Sequence, residues 1–184
     1  ASQNVTDPLL GPLALDFMEN GMSAVEAIEH VCQQGKFIEY RQVLVVDKAG
    51  KTAIYSGPNS LGIWTQAQGL NVASGGNMLA NDRVPQAMVD SFLASSGHLG
   101  DRLISAMRAG LAAGGEAGPL HSAGILLVDS VAWPVAELRC DWTDNCPIEN
   151  IATAWEVYKP QLAAYVQRAI DPRDAPSYGV PGDQ

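Results

Sequence analysis

Positive charge is the scarcest thing in this chain: Lys and Arg together number 11 against 20 Asp and Glu, giving a formal net charge of −9. Nucleic acids and anionic membrane surfaces need a basic face to neutralise phosphates, so this balance argues against both as partners. No apolar run approaches the roughly 18 residues of a membrane span, and no charged-then-apolar leader opens the sequence. The default reading is therefore a cytoplasmic protein, with periplasmic or secreted location left open. Neither G-x-x-x-x-G-K-[ST] nor G-x-G-x-x-G occurs, which removes the usual loops for nucleotide phosphates. There is no G-x-S-x-G elbow, so a Ser-His-Asp hydrolase of the usual type is disfavoured. His121 has no second His or Cys at ligand spacing, so no metal is expected, and no cofactor.

Cysteine is sparse as well. Cys32 falls in a helical pattern, while Cys140 and Cys146 flank the acidic stretch Asp141 to Asn145. They read as structural or incidental thiols, with a Cys140–Cys146 disulfide as the second reading. The chain has no Met at its start, which suggests either a trimmed initiator or a longer precursor.

What is present is apolar surface. Of the 184 residues 47% are hydrophobic and only 17% charged, enough for one folded domain with a full core and no blocks of like charge that would leave it disordered. Ala1 to Val5 reads as the end of a strand, and Leu9 to Met18 as a helix. Ser23-x-x-Glu26 is a capping box that opens a second helix, with Ala24, Ala27, Ile28 and Val31 at the spacing of one face. Val43 to Val46 and Thr52 to Tyr55 flank a Gly-containing loop, the pattern of a hairpin. Four apolar residues in a row at Val43 to Val46 require cover on both faces of the strand.

Gly57 to Gly69 reads as irregular or weakly stranded. Leu70 to Ala73 forms a short strand running into a Ser74-Gly75-Gly76-Asn77 loop. Two antiparallel helices follow, the first with Pro85 near its start and the second with Leu99, Leu103, Met107 and Leu111 on its inner face; Gly114-Gly115 ends the pair. Ala123 to Asp129 and Val135 to Asp141 are partner strands. A long helix starts at Pro147, with a kink expected at Pro160. The domain spans 1–170, and the Pro- and Gly-bearing segment 171–184 is an extended tail. Two helix pairs alternating with antiparallel strands indicate an α+β layered sandwich.

Single residues say little alone. Gly75-Gly76 would let bare backbone approach a ligand, although most Gly pairs are turn chemistry. His121 is the one histidine beside a strand start and a Gly-rich loop, yet a hydrogen-bonded structural role is the commoner outcome. His30 and His98 read as surface or capping residues. Arg41 reads as an ion-pair partner of Glu39 before it reads as a substrate clamp.

Several stretches together carry a resemblance: Ala1 to Pro8, Gly11-Pro12, Gly21 to Ala27, Tyr40-Arg41-Gln42 through Asp47, Gly76 to Ala80, Gly114-Gly115-Glu116, His121 to Gly124 and Pro134 to Arg139. In these the chain resembles the bacterial family catalogued as domain of unknown function 1028, and Tyr158 to Gln161 with Pro176 to Asp183 is similar to the ending of its longer members. The resemblance implies the N-terminal-nucleophile (Ntn) hydrolase fold, a four-layer αββα sandwich, and with it an amidohydrolase acting on a small amide or peptide-like substrate. It implies no established substrate or catalytic residue.

Members of the family begin with a further strand pair, so a nucleophile upstream of the segment starting at Ala1 is expected, as in the larger chain of an autoproteolytically processed precursor. Ser2 could serve only if Ala1 were removed. Laid over this fold, the expected catalytic set is Ser2, Asn77, Glu116, His121 and Ser122, and the expected substrate-binding set Gln3, Asn4, Asp7, Gly75 and Gly76. In this reading the Ser2-Gln3-Asn4 and Gly75-Gly76-Asn77 backbones serve the oxyanion, and Ser2, Asn77 and His121 converge. A missing strand pair would leave an open sheet edge, so a homo-oligomer or a short N-terminal companion chain is expected to cover it. The alternative is a non-catalytic small-molecule-binding or assembly protein on the same fold.

Overall fold

The computed structural model describes residues 1–180 and 182; Pro181, Asp183 and Gln184 of the tail lie outside the described residues. The chain divides into two compact units, Ala1–Leu120 and His121–Gln184.

In the first unit, β1 (Ser2–Gln3), β2 (Gln42–Val46) and β3 (Thr52–Ser56) form an antiparallel sheet in the order β1-β2-β3. Two helices, α1 (Leu10–Glu19) and α2 (Ala24–Gln34), cover one face. Their apolar stripes meet the alternate side chains of the strands in a core of Leu10, Ala14, Ala24, Ile28, Val31, Val43, Val45 and Ala53. The capping box forms as the sequence requires, with the Ser23 hydroxyl accepting from Glu26 N and the Glu26 carboxylate accepting from Ser23 N. Because side chains alternate along a strand, Gln42 and Leu44 face away from these helices. There they meet Gly75, where an added Cβ would stand 3.1 Å from Leu44 and 3.3 Å from Gln42.

Gly75 belongs to a second sheet, β4 (Ile63–Gly69) paired antiparallel with β5 (Val72–Leu79) across a Leu70-Asn71 turn. One expectation is sharpened and one corrected here. Within the Gly57 to Gly69 segment Ile63–Gly69 forms a strand, bulged near its start, and Ser74 to Asn77 runs inside β5 and is not a loop. Glycine in these strands marks close approach of layers: a Cβ on Gly69 would lie 3.0 Å from both Val89 and Leu93. Those residues lie on α3 (Val84–Ala94), which covers the far face of the second sheet and pairs with α4 (Leu99–Ala112). The buried residues of α4 are Gly100, Ile104, Ala106 and Gly110, while Leu99 and Leu111 are 44% and 41% exposed. The expected leucine face is therefore rotated partly out, with Leu103 and Met107 half-buried. Gly110 explains the rotation, because a Cβ there would come within 2.8 Å of Met88 and the two helices meet on small residues.

The second unit is a two-stranded antiparallel sheet, β6 (Ala123–Leu127) with β7 (Ala136–Cys140), covered by α5 (Pro147–Tyr158). The expected break comes at Pro160: a 3-10 turn over Lys159–Gln161 separates α5 from α6 (Leu162–Ile170). The tail is less extended than its composition suggests. Pro172–Asp174 makes a 3-10 turn, Arg168 donates to Pro176 O at 2.6 Å, and its guanidinium stands 3.6 Å over the Tyr178 ring. The tail thus folds back on its own helix. The described part of the molecule is mixed α+β with small open antiparallel sheets. Within it, no helix is long and apolar enough to cross a membrane.

Two turns of the first unit are fixed to each other. Asp47 accepts from Ala24 N, Ala49 N and Lys51 N, tying the β2–β3 turn to the start of α2. Gly50, at φ +77°, presses against Asn71 of the β4–β5 turn so closely that a Cβ would sit 1.6 Å from Asn71 Oδ1. Gly50→Ala should therefore cost at least 1 to 2 kcal/mol in chemical denaturation, about what a left-handed non-glycine residue costs before any clash. Hydrogen bonds to the Asp47 carboxylate, led by that from Ala24 N, hold its pKa below the usual carboxylate range. Its stabilisation is thus present above pH 3.8 and lost as pH falls through the lowered native value. Asp47→Asn should flatten that acid limb in urea titrations run at successive pH values.

Candidate functional site

The polar feature at the centre of the first unit is a row of amides between the two sheets. Gln42 is fully buried, at 0% exposure, in the strand whose neighbours are Val43, Leu44 and Val45. A buried amide must find partners for its oxygen and nitrogen. Here the oxygen accepts from Gln3 Nε2, and the nitrogen donates to Ser56 Oγ at 2.7 Å and Thr65 O at 3.4 Å. Gln3 Nε2 also donates to Gly75 O at 3.0 Å, and Ser56 donates to Gln66 Oε1 at 2.6 Å. The row thus ties β1, β2 and β3 to β4 and β5. None of its side chains titrates near neutral pH, so its chemistry is hydrogen-bond recognition and positioning, not proton transfer.

Of the residues expected to bind substrate, Gln3 and Gly75 meet directly. Gly75, however, presents its carbonyl to Gln3, and an acceptor there does not stabilise an oxyanion. Gly76 pairs with Thr65 inside the ladder. Asn4 is structural: buried, at φ +58°, it donates through Nδ2 to Tyr40 O and accepts from Leu61 N at 3.0 Å. Asp7 accepts from Leu9 N at 3.0 Å and so starts α1.

Ser2 pairs with Val43, whose side chain belongs to the helix-covered core, so it faces the opposite side of the sheet from Gln3. Its hydroxyl donates to Asp7 O at 3.2 Å. Asn77 and Glu116 do share a strand end. Leu79 bridges Glu116, Ala80 N donates to Gly115 O at 3.0 Å, and Ala117 N donates to Met78 O at 2.8 Å. The β4–β5 register shifts by one residue between Ile63 and Thr65, with Met78 in the left-handed region at φ 53°. A bulge of this kind re-aims the side chains beside it. Asn77 is half-buried, and its amide makes no hydrogen bond among the described residues. Glu116 is exposed.

His121 and Ser122 lie in the second unit, so the convergence expected of Ser2, Asn77 and His121 is a property of neither unit by itself. His121 is hydrogen-bonded through Nδ1 to Thr143 O at 2.9 Å and stacked on Trp142, with ring centroids 4.0 Å apart and planes 10° from parallel. Ser122 is exposed. His98 caps α4 by accepting from Gly100 N. The Arg41 Nε is buried without a hydrogen-bond partner, which does not match the expected pairing with Glu39.

Two cavities lie on the α1 side, one of about 540 Å³ bounded by Leu15, Met18, Met22, Val46 and the Asp47 turn. The other, about 300 Å³, is apolar and lined by Ala1, Leu15, Met18, Val43 to Val46 and Ala73 among others. None of the expected site residues lines either. Among the described residues no three His, Cys, Asp or Glu side chains gather as a metal site.

Sequence reasoning passed over Gln42, Ser56, Thr65 and Gln66. The available signal was a lone amide entering a strand that must be covered on both faces.

These features define an α+β protein in whose first unit two small sheets are joined through the buried Gln42 amide and its partners. Residues 1–151 match the family model described as a family of unknown function, DUF1028, and the chain belongs to that family. The match ends within α5, so the likeness of the tail to longer members is not part of it. A crystal structure of protein SPO2555 from Silicibacter pomeroyi, also described as DUF1028, is similar with a TM-score of 0.79 and 28% identity, over 86% of this chain and 71% of that one. No curated protein matches.

Replacing Gln42 would leave the Gln3 amide and the Ser56 hydroxyl facing an apolar gap. Gln42→Ala should lower unfolding free energy by about 2 to 4 kcal/mol, the sum of an unpaired buried polar group and a cavity, as read by urea denaturation.

Proposed function

We propose that this protein is an amidohydrolase of the Ntn type acting on a small amide or peptide-like substrate. The observation that carries this reading is the stacking within residues 1–112: α1 and α2, then β1-β2-β3, then β4-β5, then α3 and α4. That is the order of layers the family resemblance implies. β1 ends at the sheet interface, where the Gln3 amide is held in place by Gln42 and Gly75. With both N–H groups spent on Gln42 and Gly75, the amide so fixed leaves its Oε1 to accept from the N–H of a substrate amide. Gln3 is a positioning residue in this reading, and Asn77 with Glu116 forms the polar end of β5 nearest in sequence to the row. The nucleophile is a hydroxyl or thiol, with Ser2 the second choice because its hydroxyl donates to Asp7 O on the face opposite Gln3.

The native protein should hydrolyse members of an N-acyl p-nitroanilide panel and take up a β-lactone probe on one hydroxyl or thiol residue, located by peptide mapping. Gln3→Ala should raise KM several-fold with a smaller change in kcat. Absence of both turnover and adduct would overturn the enzyme reading. The Ser2 to Asp7 bond specifically favours a second reading, a non-catalytic binding protein on the same fold. Saturable ligand binding without turnover would support it.

A further inference from the structure

Independently of that reading, we propose that Cys140 and Cys146 form a peroxide-sensitive dithiol that closes into a reversible intramolecular disulfide. All three cysteines are free in the structure. Cys140 ends β7, and Cys146 immediately precedes α5, so both stand at the N-terminal end of the helix that covers this sheet. Asn150, one turn into α5, touches both: its Nδ2 donates to Cys140 Sγ at 3.4 Å, and its backbone N donates to Cys146 O at 3.3 Å. Asn150 is thus a shared neighbour of both cysteines at the start of α5, where a disulfide, needing roughly 4.4 to 6.8 Å between Cα atoms, would close.

The loop between them is anchored at its middle. Trp142 stacks on His121, and Thr143 exchanges hydrogen bonds with His121 through N to O at 2.9 Å and O to Nδ1 at 2.9 Å. Both thiols are half-buried and so remain open to a small oxidant. Cys32 is the internal control: it packs against the α1–α2 core, and burial pushes its thiol pKa up, which disfavours the thiolate.

The chemistry balances with a hydroperoxide as the oxidant. One thiol is oxidised to a sulfenic acid while the O–O bond breaks and the peroxide leaves as water or an alcohol. The second sulfur then attacks the sulfenic sulfur, forming the S–S bond and releasing water. Two electrons pass from the cysteine pair to the peroxide, and a dithiol reductant reverses the change.

The full chain treated with hydrogen peroxide, quenched and analysed without reductant should lose about 2 Da. Thiols titratable after denaturation should fall from three to one, and peptide mapping should find Cys140 joined to Cys146, with dithiothreitol restoring all. Cys140→Ser and Cys146→Ser should each abolish the mass loss, and Cys32→Ser should leave it intact. The mapping on the unsubstituted protein decides the matter even if a variant fails to fold. A disulfide through Cys32, a bond between molecules, or no disulfide at peroxide levels that already oxidise methionine would overturn the proposal.

Discussion

A primary amide cannot be buried between two β-sheets unless its oxygen and both its N–H groups are engaged, and Gln42 meets that demand by recruiting four strands besides its own. Its oxygen takes Gln3 of β1, its nitrogen takes Ser56 of β3 and the backbone of β4 at Thr65, and Gln3 passes the connection on to β5 at Gly75. Gly75 has no side chain because Gln42 and Leu44 occupy the space one would need. The distance between the sheets, the absence of bulk at Gly75 and the ending of β1 at Gln3 all follow from satisfying one side chain. A strand of valines and leucine could have been packed in several registers; the amide accepts one.

The same constraint shapes what the site can do. A network of amides and hydroxyls holds its geometry without holding charge, which suits the proposed role of orienting a neutral polar group rather than activating one. Activation has to come from elsewhere. Ser2 is adjacent in sequence to Gln3 but on the other face of the sheet, an unavoidable result of strand alternation. Asn77 escapes that alternation through the bulge around Met78 and keeps an uncommitted amide half-buried at the end of β5.

Much of the fold was legible in the sequence where local rules act alone. The Ser23 and Glu26 capping box, the β2–β3 hairpin and the interruption at Pro160 depend on neighbours within a few residues, and each forms as read. The failures are all cases where a distant element decides. Residues 63–69 look irregular or at most weakly stranded because Gly62 and Gly69 punctuate them, and pairing with β5 decides for the strand. Ser74-Gly75-Gly76-Asn77 looks like a loop because glycine suits turns, whereas here glycine admits another layer. In α4 the leucine stripe outweighed Gly110 in the reading, but the approach of Met88 selected the small face. The site is less legible for the same reason: position along a fold does not show that Asn4 and Asp7 make local hydrogen bonds, nor that Gln42 is the hub.

The contact between Gly50 and Asn71 reaches further than the fit of two atoms. The loops at the tips of separate hairpins are ordinarily the places where a protein tolerates added residues. Here each tip is the other's floor, since Asn71 N also donates to Gly50 O. An insertion in either would lift both, and would draw on α2 as well through Asp47. This end of the first unit is therefore closed to changes of length, and peptide tags or inserted domains are better placed at the Gly97 turn between α3 and α4, where no neighbouring backbone leans on the chain.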